Sequence, residues 1–237
     1  NLSGKNGNIA VNLKKVRINK DRVYHILAGG MPNFSRQSIT SIALILPNVV
    51  AAKYGDGVIA ALTISSRILA LAYMIMIGWG QGFQPICAMN YGAKQYDRVK
   101  KAFKFAVIGG TLFLIIAAIL LYVFSEPLIK TMSNDNEVIL VGAEILRMQC
   151  ITMPLLGYFA ISSMLMQNIG QYFWASIISI SRQGIFYIPL LYILSNIFGQ
   201  FGIYLLQPVA DVLSFGLAVI VVRKIKFAND KCRKDGI

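Results

Sequence analysis

Four charged side chains fall inside long apolar stretches of this 237-residue chain: Arg36, Arg67, Arg182 and Asp211. Charge at such positions is expensive in lipid, so it normally meets a partner or a water-filled cavity. Two of the arginines share a tripeptide, Ser35-Arg36-Gln37 and Ser181-Arg182-Gln183, and each copy is followed one residue later by isoleucine, Ile39 or Ile185. Counted along a helix, Arg36 lies roughly 20 Å into its stretch, and Arg182 and Asp211 roughly 13 Å into theirs, deeper than an easy snorkel. Asp211 is the one acid clearly inside an apolar stretch. It is a candidate proton carrier or cation ligand, or equally the counter-ion of Arg36 or Arg182. For each residue alone a structural ion pair is the weightier reading. For the set together a shared polar cavity, and hence a pathway, is the better one.

Other chemistry is scarce. His25 is the only histidine and stands at the edge of a basic segment, which fits an interfacial or capping role. Cys87, Cys150 and Cys232 are far apart and lack metal-ligand spacing. Gly78-Trp79-Gly80-Gln81-Gly82 is glycine-rich but lacks the Lys-Ser/Thr of a phosphate loop, and no His-Glu-x-x-His occurs. The residues therefore point away from an enzyme, an ATP-driven machine or a metal or organic cofactor.

The elements that must position these groups are membrane helices. The chain is 56% hydrophobic and only 14% charged, well below the ~25% charged residues of soluble domains. Spanning takes about 20 mostly apolar residues. The pattern predicts six spans, at residues 23–50, 58–87, 102–124, 141–168, 173–197 and 202–222, so the fold class is an all-α, polytopic membrane protein. The turn cluster Lys53-Tyr54-Gly55-Asp56-Gly57 separates the first two, and Asn90-Tyr91-Gly92-Ala93-Lys94 opens a longer polar loop after the second.

Net charge is +13, but the basic residues lie between or beyond the spans. They fit topology signals and lipid headgroups better than nucleic acid. Six spans put the N-terminal segment, the loop with Lys94, Arg98, Lys100, Lys101 and Lys104, and the C-terminal tail on one face. The positive-inside rule makes that face, and both ends of the chain, cytoplasmic. Prolines in or near spans (Pro32, Pro47, Pro85, Pro154, Pro189, Pro208) predict kinked helices with freed carbonyls. Methionine and tyrosine on the spans suit bulky cationic ligands, though packing explains any one of them.

The stretch GWGQGFQPICAMNYGAKQYDRVKK at residues 78–101 resembles the MATE (multidrug and toxic compound extrusion) family of secondary transporters. So do Gly30-Met31-Pro32, SRQGIFYIPLL in the fifth span and PVADVLSF in the sixth. The resemblance implies one lobe of a twelve-helix, two-lobe transporter: residues 1–22 as a cytoplasmic inter-lobe linker, 23–222 as the six-span C-terminal lobe and 223–237 as a basic cytoplasmic tail. The start at Asn1 is then that of a piece of a longer protein. The implied activity is multidrug efflux across the cell membrane, exporting amphipathic or cationic compounds in exchange for protons or sodium. Its implied partners are those drugs, the lipid bilayer and the N-terminal lobe. The substrate and cation pathway is expected at Arg36, Gln37, Thr40, Tyr158, Arg182, Gln183, Tyr187 and Asp211. The chain departs from some members, which carry a coupling glutamate where Thr40 stands and an aspartate near Tyr158. That departure implies a coupling acid in the other lobe. Two rivals remain: a flippase for lipid-linked sugars, which would want a cationic cavity, and a membrane scaffold, which would want every buried charge paired.

Overall fold

A computed structural model describes the backbone of residues 20–51 and 55–234, and side chains from 55 to 224 and over part of the first helix. The Arg36, His25 and Cys232 side chains and nearly all of the expected linker lie outside what is described. All described elements are helical: α1 (Lys20–Ala51), α2 (Asp56–Gly92), α3 (Tyr96–Val123), α4 (Ser125–Lys130), α5 (Asn136–Thr152), α6 (Leu155–Asn168), α7 (Tyr172–Ile180), a π-helical turn (Ser181–Ile185), α8 (Tyr187–Phe198) and α9 (Gln200–Lys234).

Four continuous helical stretches are long and apolar enough to cross a membrane: α2, α3, α7 through α8, and α9 to Lys224. α5 and α6 together form a fifth, bent by 56°. The bend falls at Met153-Pro154, where proline supplies no N–H to the preceding turn. α1, 32 residues long, is not among these, so four or five of the six expected spans are seen. Its apolar run is diluted by Asn33, Ser35, Arg36, Gln37 and Ser38.

Three details differ from the sequence reading. The loop after the second span is short, because α3 begins at Tyr96 and places Arg98, Lys100, Lys101 and Lys104 on its first turns. Lys94 closes that tight turn in the left-handed region, at φ 57°. The C-terminal tail is not a separate segment either: α9 continues unbroken to Lys234, since nothing after Val222 breaks a helix until Gly236. The fifth span is not a single α-helix but is interrupted by the π turn at the second Ser-Arg-Gln.

The core runs between α2, α3, α5, α6, α7 and α9, where Met76, Leu114, Ile161, Ile178 and Ala218 are wholly shielded. A second cluster (Ala43, Tyr187, Leu191, Leu206, Ala210) locks α1 and α8 onto α9. In lipid, where tails are as apolar as the side chains, such packing depends on close approach at small residues. Gly157 of α6 shows it: a Cβ there would lie 3.0 Å from the backbone of Thr111 on α3.

Candidate functional site

The π turn is the junction of the lobe. A π turn widens the helix by one residue and re-aims the side chains around it. Here it directs Arg182 toward α9 and Gln183 toward α1. The Arg182 Nε donates to Asp211 Oδ1 at 2.7 Å, and the pair is 16% and 2% exposed. Gln207, one helical turn before Asp211, donates its Nε2 to the same oxygen at 2.9 Å. Thr152, at the end of α5 beside the bend, donates to Asp211 Oδ2 at 3.3 Å. Both carboxylate oxygens are thus engaged by donors. Arg182 also lies over the Tyr73 ring of α2, its guanidinium carbon 5.2 Å from the centroid. Tyr187, buried just beyond the turn, lies within electrostatic reach of both Arg182 and Asp211.

The other side of the turn binds α1. Thr40 Oγ1 donates to Gln183 Oε1. A Cβ on Gly184 would lie 3.2 Å from Ile39 Cδ1 and 2.9 Å from Ile180 Cγ2, so the glycine permits this approach. Farther along α1, Gln167 Nε2 of α6 donates to the Gly29 carbonyl at 2.8 Å. One five-residue turn therefore ties together α1, α2 and α9, and α5 joins them through Asp211.

The structure brings Thr40, Arg182, Gln183, Tyr187 and Asp211 to this junction. It does not bring Tyr158 there. Tyr158 sits edge-on between Phe103 of α3 and Phe215 of α9, at centroid distances of 5.9 and 5.4 Å, in an aromatic packing role. Gln37 is exposed, and its backbone carbonyl accepts from Ser41 Oγ at 3.1 Å. In this geometry Asp211 is the counter-ion of Arg182. Sequence reasoning missed Thr152, Gln207 and Tyr73. The spacing of Gln207 and Asp211, four apart on one helix, was a readable signal for one of these. Among the described residues no group of three or more His, Cys, Asp or Glu could hold a metal ion.

The model of the family described as MatE matches residues 32–193 of the chain. A relative from Staphylococcus haemolyticus, "Multidrug export protein MepA", is 24% identical over 225 residues, covering 95% of this chain and 49% of its own length. Among solved structures, the MATE multidrug transporter DinF-BH is 32% identical with a TM-score of 0.75, covering 90% of this chain and 48% of its own. The Vibrio cholerae MATE transporter VcmN, solved as a point mutant, shares the fold at 20% identity with a TM-score of 0.84, covering 92% of this chain and 50% of its own. The chain spans about half the length of the relatives it matches.

Proposed function

The chain belongs to the MatE family, and on that premise we propose that it is one six-helix lobe of a secondary active exporter of amphipathic, often cationic compounds. The observation that carries this reading is the match of 90–95% of the chain to about half of proteins named for multidrug export. The lobe works in the cell membrane with the basic segments on the cytoplasmic side, and a second lobe completes the pathway.

The exchanged ion is a proton or sodium. Asp211 is poorly suited to take it, because three donors, one of them a guanidinium, occupy its carboxylate. A carboxylate held this way is a fixed counter-charge rather than an exchangeable site. The coupling acid accordingly belongs to the second lobe. This lobe contributes a wall of the pathway, with partly exposed Thr40, Tyr73, Arg182 and Gln183 along one seam. The flippase rival loses ground because Asp211 cancels the Arg182 charge that an anionic cargo would seek.

The test is dye efflux from bacterial cells lacking their own exporters and expressing the complete transporter. Accumulation of a cationic dye should fall, and should recover when the proton or sodium gradient is collapsed. Unchanged accumulation with protein present in the membrane would overturn the proposal.

A further inference from the structure

Residues 94–104 carry five basic side chains, Lys94, Arg98, Lys100, Lys101 and Lys104, and one acid, Asp97. α3 is 28 residues long, which is about 42 Å at helical rise, against a hydrocarbon layer of about 30 Å. When its apolar part, residues 105–123, lies in that layer, residues 96–104 stand at the level of the lipid headgroups. Arg98, Lys101 and Lys104 are all exposed there, within about 9 Å of one another along the helix axis.

Other cations of the lobe have partners inside it. Arg182 pairs with Asp211, Arg147 donates to Ser125 and lies over the Tyr122 ring, and Lys224 lies over Trp174. By contrast, among the described residues the side chains of Arg98, Lys101 and Lys104 meet no carboxylate and no aromatic ring.

Next to this cluster, toward the membrane centre, stands an aromatic wall. Phe105 follows Lys101 by one helical turn and is 70% exposed. Trp79 of α2, 44% exposed, stands against it with ring centroids 6.0 Å apart. The indole is fixed in place. Its Nε1 donates to the Ala106 carbonyl at 3.0 Å, and a Cβ on Gly109 would lie 2.7 Å from its Cζ2. With its N–H used inside the lobe, the ring offers lipid an apolar surface rather than a donor. The exposed side chains of Ile108 and Leu112 continue α3 beyond it in purely apolar form. Cationic groups beside a fixed apolar wall match a molecule with an anionic head and a long apolar tail.

We propose that the first turns of α3 and the Trp79–Phe105 pair form a seat for an anionic phospholipid. Its phosphate lies among Arg98, Lys101 and Lys104, and an acyl chain lies along the two rings. Charge complementarity chooses the occupant. A zwitterionic headgroup would bring its own cation to an already cationic cluster, and a soluble anion would make no use of the wall. The proposal rests on α3 crossing a membrane and not on export.

The test uses the complete transporter in phosphatidylcholine bilayers, in a background that includes Trp174→Phe and leaves Trp79 as the only tryptophan. Brominated acyl chains quench an indole that they touch. Dibrominated phosphatidylglycerol should compete for Trp79 better than dibrominated phosphatidylcholine by more than about three-fold, because each basic residue at the headgroup contributes up to about five-fold. Arg98→Gln, Lys101→Gln and Lys104→Gln together should bring that ratio to about one, whereas Arg98→Lys with Lys101→Arg and Lys104→Arg keeps it. Should the triple neutralisation not insert, Lys101→Gln alone should lower the ratio, and an unchanged ratio there counts equally against the seat. Equal quenching by the two lipids before any charge is removed, or a preference that survives the triple neutralisation, overturns the proposal. Recovery of Trp79 fluorescence on adding inorganic phosphate at matched ionic strength would make the cluster a site for soluble anions, and overturns it too. None of these readouts needs transport. Loss of export would sink the functional reading alone, and a ratio of one would sink the seat alone.

Discussion

Ile39 of α1 presses against Gly184 of the π turn so closely that a methyl group on the glycine would lie 3.2 Å from the isoleucine Cδ1. The two residues follow the two copies of Ser-Arg-Gln. The helix segments that carry the two copies are therefore packed side by side at these residues.

Gly184→Ala should consequently loosen α1 from the rest of the lobe. The added carbon meets Ile180 at 2.9 Å as well, so the turn has little room to yield. Overpacking of this kind costs about 1–3 kcal/mol. Thermal unfolding of the purified transporter should show a lower midpoint, and Gly184→Ala combined with Ile39→Val should recover part of it. An unchanged midpoint for the single variant would contradict the packing.

Arg182→Met and Asp211→Leu should each be more damaging alone than together. Removing one partner strands a buried charge, at about 3–5 kcal/mol, whereas replacing both with apolar groups removes the charge altogether. Folded yield and melting of the two single variants and the double variant give the coupling directly. Additive losses would show that the pair does not act as a unit.

Gln207→Leu removes a neutral donor from Asp211 and leaves Arg182 in place. A hydrogen bond to a charged group is worth about 1.5–3 kcal/mol, so this variant should lie between the native protein and Asp211→Leu in melting temperature. Thr152→Val, whose bond is the longest of the three at 3.3 Å, should cost less than Gln207→Leu. The reverse order would mean that Thr152, next to the bend, does more than donate.

Pro154→Ala restores an N–H at the α5–α6 junction. The 56° bend should narrow, which spin labels near Val138 and Met166 would report as a longer separation. Because Thr152 reaches Asp211 from the rim of that bend, its 3.3 Å hydrogen bond should weaken as well. A bend unchanged by the substitution would assign it to tertiary packing rather than to proline.

Much of this fold was legible in the sequence, because apolar run length and basic residues between runs follow directly from the needs of a bilayer. The bend at Pro154 was visible because a proline inside a span has no N–H to give. The π turn was not, since one surplus residue in a helix leaves no mark in composition. The aromatic packing of Tyr158 was not legible, because an aromatic residue on a span looks the same whether it lines a pathway or packs against Phe103 and Phe215. Thr152, Gln207 and Tyr73 were missed because hydroxyls, amides and phenols are ordinary on membrane helices. Only the fold shows that they surround one ion pair.

α2 and α9 have 37 and 35 residues. Each is therefore roughly 50–55 Å long, against a hydrocarbon layer of about 30 Å. α3 starts just past the far end of α2 with its basic turns. The lobe therefore carries two helices longer than that layer, each with one proline inside it, Pro85 in α2 and Pro208 in α9. A helix that long turns a tilt of about 10° into a sweep of about 9 Å at its tip. Small rocking of either helix within the lipid becomes a larger excursion at its end, carried on a backbone whose hydrogen-bond ladder is interrupted at Pro85 or Pro208.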